Sequence, residues 1–277
     1  MRAVSRLASV LVLTVVAISV ALDARQAPPA VAAGATLSRT EQEAFLKSAK
    51  IVRRQTPGKG VTGTVRATLS DGTLTHDASI QVVDQRLQTF QSNQGVEFNF
   101  RDAWQFNVAA YYLDKLLDIN MIPATVERDY EGKPGAYTWW VDDVLMDESQ
   151  RLKKKTDPPN PRQWNDQMFV VRAFDQLIFN TDRNLGNLLI SKDWRIWMID
   201  HTRAFRWNTT LRSAGDVARC ERRFLAGLKR LDQPTLKREV GRYLGDNEVK
   251  GLLARRDLIV TRCEQAGPAA LYDAPRF

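Results

Sequence analysis

The feature that most restricts how this chain can fold lies between Phe174 and Phe205. A long amphipathic helix, "RQWNDQMFVVRAFDQLIFN", runs to Asn180, a polar loop "TDRNLGN" follows, and two short apolar runs, "LLIS" and "RIWMID", are joined by the turn "KDW". Three oxygen-bearing side chains are set around that hairpin. Asp182 lies in the loop, Asn187 five residues on, and Asp200 thirteen beyond it, where the second run ends. A hairpin between the last two brings their side chains near one place, and hard divalent cations take oxygen ligands. The plainer alternative is a polar loop with Asn-Leu-Gly turn chemistry and a strand-ending Asp.

The order of elements around this stretch sets the fold class. "LSRTEQEAFLKSAKIV" reads as a helix with Ser38 or Thr40 as N-cap and Glu43 as the partner of Thr40 in a capping box. "KIVRRQ" reads as a strand, and "TGTVRATL" alternates, with Val65, Ala67 and Leu69 on one face. Asp-Gly in "SDGT" predicts a hairpin returning as "HDASIQVVD". A polar loop, "QSNQG", leads to a helix over Phe100–Leu117, and Ala136–Met146 reads as one aromatic strand. "RLKKKTDPPNPRQ" is basic and then Pro-rich, a connection. From Ser213 on, "AGDVARCERRFLAGLKRL", "QPTLKREVGRYL" and "DNEVKGLLARRDLIVTRCEQ" read as helices. Strands with one helix, then a mostly helical half, predict a bilobed α+β fold with a cleft between the halves. The halves are residues 35–145 and 146–277.

Residues 1–34 stand apart. Arg2 and Arg6 precede an apolar run from Leu7 to Leu22, and small residues and an Ala/Pro stretch follow. That is the layout of a secretory signal; the run is 16 residues, short of the ~20 of a membrane span. Export to a periplasm or the extracellular space is expected, with attachment through an uncleaved segment as the alternative. The net charge of +8 is scattered and accompanies no nucleic-acid motif, so a solvated surface accounts for it and no nucleic-acid partner is expected. Cys220 and Cys263 are the two cysteines. In an exported chain they allow one disulfide, and two buried thiols are the other reading.

Phosphoryl transfer from a nucleotide needs metal ions against the phosphate charge, a carboxylate at the acceptor hydroxyl and a backbone cradle for the phosphates. The spacing of Asp182, Asn187 and Asp200 matches the catalytic loop and following hairpin of protein kinases. "TDRNLGN" with "MIDHT", however, resembles the atypical branch: phosphatidylinositol 3/4-kinases, HipA-like bacterial kinases and secreted Fam20-type kinases. The resemblance implies a kinase-like fold with a small β-rich N-lobe and a mainly helical C-lobe, using ATP with Mg²⁺ or Mn²⁺. Asp182 would be the catalytic base, Asn187 and Asp200 the metal ligands. "GKGVTGTV" fits the phosphate-loop pattern, which puts Gly58, Lys59, Gly60 and Gly63 at the nucleotide. Two positions depart. Gln81 stands where the family places a lysine, and Asn107 where it places the paired glutamate. Lys59 or Arg66 would then supply the missing cation; otherwise the domain binds nucleotide, or nothing, without turnover. "VDDVLMDE" should carry the hinge. The acceptor is a protein, lipid or sugar hydroxyl. A catalytically inactive binding module, or a nucleotidyl transferase, is the alternative function.

Overall fold

The computed structural model describes residues 37–55, 64–92 and 95–274. Helix α1 (Arg39–Ser48) is capped by Ser38, which exchanges hydrogen bonds with Glu41: Glu41 N donates to Ser38 Oγ and Ser38 N to the Glu41 carboxylate. Thr40 with Glu43 does not form the box, because the Glu43 carboxylate is buried and accepts from Tyr111 Oη and Lys115 Nζ, both at 2.6 Å.

Strands β1 (Lys50–Gln55), β2 (Val65–Ser70) and β3 (Thr75–Gln81) follow. Ala67 and Leu69 are buried as the alternation predicts. The Asp-Gly turn forms with Gly72 at φ 96°, and Asp71 Oδ1 accepts from Thr73 N and Leu74 N at 2.8 Å.

Where a loop and helix were expected, β4 (Asp84–Ser92) and β5 (Gly95–Ala103) form an antiparallel ribbon of their own, in register from Asp84↔Ala103 to Ser92↔Gly95. Helix α2 (Gln105–Leu116) therefore begins five residues later than the reading from Phe100. Val96 and Phe98 are exposed, whereas Phe100 and Asp102 on the same strand face are buried, so that face passes from solvent into the interior toward Ala103. Phe100 stacks on Phe90 at 4.1 Å, a cross-ribbon pair that no local helical pattern could offer.

After α2 come β6 (Thr125–Tyr130), unassigned in the sequence, and β7 (Lys133–Trp139). The antiparallel sheet runs β1-β2-β3-β7-β6, and α2 packs its buried face on β6 and β7. The single strand read over Ala136–Met146 is two. β7 pairs with β3, and β8 (Val144–Asp147) joins another sheet, β10-β9-β8. Residues 140–143 make the passage, with Asp143 left-handed at φ 54°.

The basic stretch is not mere connection. Asp147 Oδ1 accepts from Gln150 N at 2.8 Å and caps α3 (Glu148–Lys154), which ends on left-handed Lys155. Helix α4 (Pro161–Ile178) starts with an Asn160 cap and Pro161 in its first turn. It ends two residues short of Asn180, where Phe179 turns left-handed at φ 48°. Strands β9 (Leu188–Ser191) and β10 (Ile196–Met198) form the predicted hairpin.

The first of the three C-terminal helices read from the sequence is broken. A 3-10 turn (Ala214–Asp216) and a short strand β11 (Cys220–Glu221) precede α5 (Arg222–Arg230). Helices α6 (Gln233–Val240) and α7 (Asp246–Ala266) follow, and β12 (Leu271–Tyr272) pairs parallel with β11. Cys220 and Cys263 are bridged, with Cα atoms 5.9 Å apart, which decides between the two cysteine readings. The architecture is α+β and bilobed: a β-rich part carrying α1 and α2, then a mainly helical part. Among the described residues no helix is long and apolar enough to cross a membrane.

Candidate active site

Helix α4 delivers the loop that carries Asp182. The Asn180 amide shapes the turn: its Oδ1 accepts from Asp182 N and its Nδ2 donates to Asp175 Oδ1, both at 3.0 Å. Thr181 donates from backbone N and from Oγ1 to Arg203 O at 3.2 and 2.9 Å, which ties this loop to the segment after Asp200. The Asp182 carboxylate is half exposed and pairs with Arg203 Nη1 at 3.4 Å.

Arg183 locks the loop from beneath. Its guanidinium holds Asp175 through two nitrogens, at 2.9 and 3.1 Å. It also donates to Asn187 O at 3.1 Å, Ile199 O at 2.9 Å and His201 Nε2 at 3.0 Å. Arg183 therefore positions the loop. His201 is fully buried, and burial with the adjacent guanidinium pushes its pKa well below the usual histidine range. Its Nε2 faces a donor, so the neutral ring accepts there and carries its proton on Nδ1.

Asn187 closes the 3-10 turn Leu185–Asn187, and its carbonyl accepts from Ile199 N at 3.0 Å. The β9–β10 pairing thus places Asn187 next to the residue preceding Asp200. Asp200 has φ 56°, and its Oδ1 accepts from Thr202 Oγ1 at 3.1 Å. Burial raises its pKa, Thr202 opposes, and the charge of Asp102 adds to the rise; Gln81 also faces the carboxylate and lowers it.

A neutral chain crosses from the β-rich part. Asn107 Nδ2 donates to Gln81 Oε1 at 2.5 Å, His201 N donates to Asn107 Oδ1 at 2.7 Å, and Gln81 Nε2 donates to Thr64 Oγ1 at 3.2 Å. Both amides are buried. Beside them, Arg203 Nε donates to Asp102 Oδ2 at 3.0 Å, and Ala103 N to Thr202 O at 2.9 Å. Arg203 therefore bridges Asp102 to Asp182. Its own pKa is raised by Asp102, Asp182 and Asp200 against the opposing effect of burial.

No protein-family model matches the sequence, and no curated protein matches it. Solved structures do match. A hydra Fam20 structure with sugar aligns over 83% of this chain and 90% of its own, with TM-score 0.61 and 15% identity. The Golgi casein kinase with Mn/ADP bound aligns over 86% of this chain and 80% of its own, with TM-score 0.57 and 13% identity. The fold is that of the atypical kinases. At these identities the likeness is one of fold.

Within this kinase fold, the structure gathers Asp182, Asn187, Asp200 and Gln81 around one region, joined by the contacts above. Gly58, Lys59, Gly60 and Gly63 lie outside the described residues. Arg66, the other cation considered for the phosphates, pairs with Asp77 at 2.6 Å and lies over the Trp140 ring, so it serves the sheet face. Of the stretch expected to carry the hinge, residues 141–143 lie between β7 and β8 and the rest falls in β8 and the first residue of α3.

A kinase fold implies a divalent ion, and the donors fit one. Two buried polar atoms here lack hydrogen-bond partners, Asn187 Nδ2 and Asp102 Oδ1. The choice of oxygen or nitrogen at a side-chain amide is an assignment, so either end of Asn187 can occupy that position. Asn and Asp oxygens suit Mg²⁺ or Mn²⁺. Among the described residues no three His, Cys, Asp or Glu side chains are grouped as a metal cage. An ion held here would complete its shell with waters and nucleotide phosphates, the usual habit of Mg²⁺.

Sequence reasoning missed Asp102 and Arg203. Arg203 lies three residues after Asp200 and could have been singled out on that ground. Asp102 carried no signal, since it fell in the first turn of a helix that is not there. A cleft of about 710 Å³ is lined by α1, β7 and α4 residues including Arg39, Trp139 and Val170, and contains none of the three catalytic candidates. A second, about 490 Å³, reaches Thr181, next to Asp182, and is lined also by Phe98, Phe179, Trp207, Glu97 and Glu248.

Proposed function

We propose that this protein is an exported, metal-dependent phosphotransferase that moves a phosphoryl group from ATP to a hydroxyl. The observation that carries the reading is the single hydrogen-bonded unit made by Arg183. It fixes the loop of Asp182 to Asn187 O, Ile199 O and His201, so that base and metal-ligand candidates share one frame. Preorganised geometry of this kind is what phosphoryl transfer draws on, since positioning and electrostatics supply most of the acceleration.

In this reading Asp182, half exposed on its loop, receives the acceptor proton as the hydroxyl oxygen attacks. Asn187 and Asp200 hold Mg²⁺ or Mn²⁺, and the ion supplies neutralisation of phosphate charge. Gln81 contributes a neutral hydrogen bond to the nucleotide, and Gly58, Lys59, Gly60 and Gly63 cover its phosphates. Lys59 brings the charge that Gln81 lacks. The lobes, expected as residues 35–145 and 146–277, divide in this reading just before β8 (Val144–Asp147), which pairs with β9. The acceptor lies in the cleft beside Thr181. Exposed Phe98 and Trp207 favour a sugar among the three acceptor classes, since rings cover its apolar face. The bridge between Cys220 and Cys263 supports export, because disulfides persist in oxidising compartments.

The second reading, a pseudokinase, is favoured by the neutral Gln81–Asn107 pair. Thermal-shift titration with ATP and Mn²⁺ comes first, then phosphate incorporation into sugar, peptide and lipid acceptors by wild type and Asp200→Asn. Incorporation lost in the variant supports the kinase. Nucleotide binding without turnover supports the pseudokinase, and no binding at all rejects both. Product mass separates phosphoryl from nucleotidyl transfer, and unchanged activity in Lys59→Ala removes Lys59 from its role.

A further inference from the structure

We propose that Asp102, at the end of β5, is an additional carboxylate ligand of the divalent-metal site; this rests on the phosphotransferase reading above. Asp102 is 2% exposed. Only one of its oxygens is used. Oδ2 accepts from Arg203 Nε, while Oδ1 is buried with no hydrogen-bond partner. A guanidinium can satisfy both oxygens of a carboxylate at once. Here Arg203 instead turns Nη1 to Asp182 at 3.4 Å, leaving Asp102 Oδ1 open.

Leaving a buried acceptor unmade costs on the order of 1–3 kcal/mol, more for a charged group, and such an atom in a native fold commonly marks an ion or water. Placement favours an ion. Ala103 N donates to Thr202 O at 2.9 Å, so the chain on either side of that bond carries Asp102 and Asp200. The charge of Asp102 reaches Asp200.

The sequence adds a reason for this carboxylate. Helix α2 offers Asn107 where an acid is usual in the resembled kinases, and Asn107 is committed to Gln81 and His201 N. Asp102, five residues earlier on the same stretch, restores a negative oxygen to that side of the cleft. Hard divalent ions prefer such charged oxygens to an amide.

The test is a Mn²⁺ titration at saturating ADP, followed by loss of the free-ion electron paramagnetic resonance signal and corrected for ADP alone. Wild type, Asp102→Asn, Arg203→Met and Asp200→Asn are compared, with circular dichroism melts to confirm folding. Asp102→Asn is expected to weaken Mn²⁺ by about tenfold or more, as Asp200→Asn does, while Arg203→Met stays near wild type. Asp102→Ser gives the same readout should the asparagine variant fail to fold. Affinity in Asp102→Asn equal to wild type, with Asp200→Asn impaired, overturns the assignment and leaves the phosphotransferase reading standing. Equal losses in Asp102→Asn and Arg203→Met also overturn it, since Asp102 would then act only through its ion pair. Wild type binding no Mn²⁺ with ADP removes both proposals together.

Discussion

Asn107 Nδ2 donates to Gln81 Oε1 at 2.5 Å, a buried amide pair at the two positions where the resemblance leads one to expect lysine and glutamate. The pair keeps the link between sheet and helix and gives up its charge. Asn107 also accepts from His201 N, so the helix still senses the segment of Asp200. Restoring the charged pair one residue at a time should therefore fail. Asn107→Glu alone buries an uncompensated charge, a loss of roughly 3 kcal/mol; Gln81→Lys loses the bond to Asn107 but faces the Asp200 carboxylate, so it should lose less. The double variant should recover part of the loss, with a coupling energy of about 1–3 kcal/mol in a urea-denaturation cycle. Strict additivity would show that the two positions are not coupled as the bond implies.

Arg183 is the most connected side chain under the loop. Arg183→Met leaves the buried Asp175 charge without its cation and takes one donor from each of Asn187 O, Ile199 O and His201 Nε2. Stability should fall by roughly 3–5 kcal/mol, the usual cost of breaking a buried pair. Chemical denaturation measures it, and a loss below about 1 kcal/mol would mean that the network is not cooperative.

The buried neutral His201 sets a pH dependence. Its folded pKa lies well below its unfolded value near 6.5, so between the two the unfolded chain binds more protons. Stability from this group is present above about pH 6.5 and is lost as pH falls, by up to about 1.4 kcal/mol per unit. Asp114 and Asp200, raised by burial, act in the opposite sense at lower pH. Comparison with His201→Gln, whose amide oxygen can still accept from Arg183, isolates the histidine. Wild type should lose more stability than the variant from pH 6.5 to 5.5, and parallel curves would count against a buried neutral ring.

The bridge from Cys220 to Cys263 closes a loop between β11 and the far end of α7. In the chain-entropy model a loop of about 44 residues contributes ~4 kcal/mol. Cys220→Ser with Cys263→Ser should lower the melting temperature by roughly 10 °C. Reduction of wild type by dithiothreitol should match the double variant, and neither treatment should alter an already reduced protein.

What the letters disclosed and what they withheld divide along sequence distance. The Asp182, Asn187 and Asp200 constellation was legible because one helix end and one hairpin build it, within 19 residues. The left-handed stop at Phe179 moved the helix end without moving the loop. The β4–β5 ribbon was misread because Phe100, Ala103 and Trp104 also suit the first turn of an apolar helix face; pairing with β4 decided against that period. Strand β6 and the order β1-β2-β3-β7-β6 need partners far along the chain. Asp102 and Arg203, 101 residues apart, meet only because the ribbon lies against the Asp200 segment.

Asp200 holds its carboxylate on a left-handed backbone, φ 56°. Asp, Asn and Gly adopt that conformation readily, and other residues resist it. A change to Asn thus removes the charge while sparing the backbone of the hairpin and the network under it. Chemistry and fold are separable at this position, and a lineage could silence the site in one step and keep the architecture for other uses.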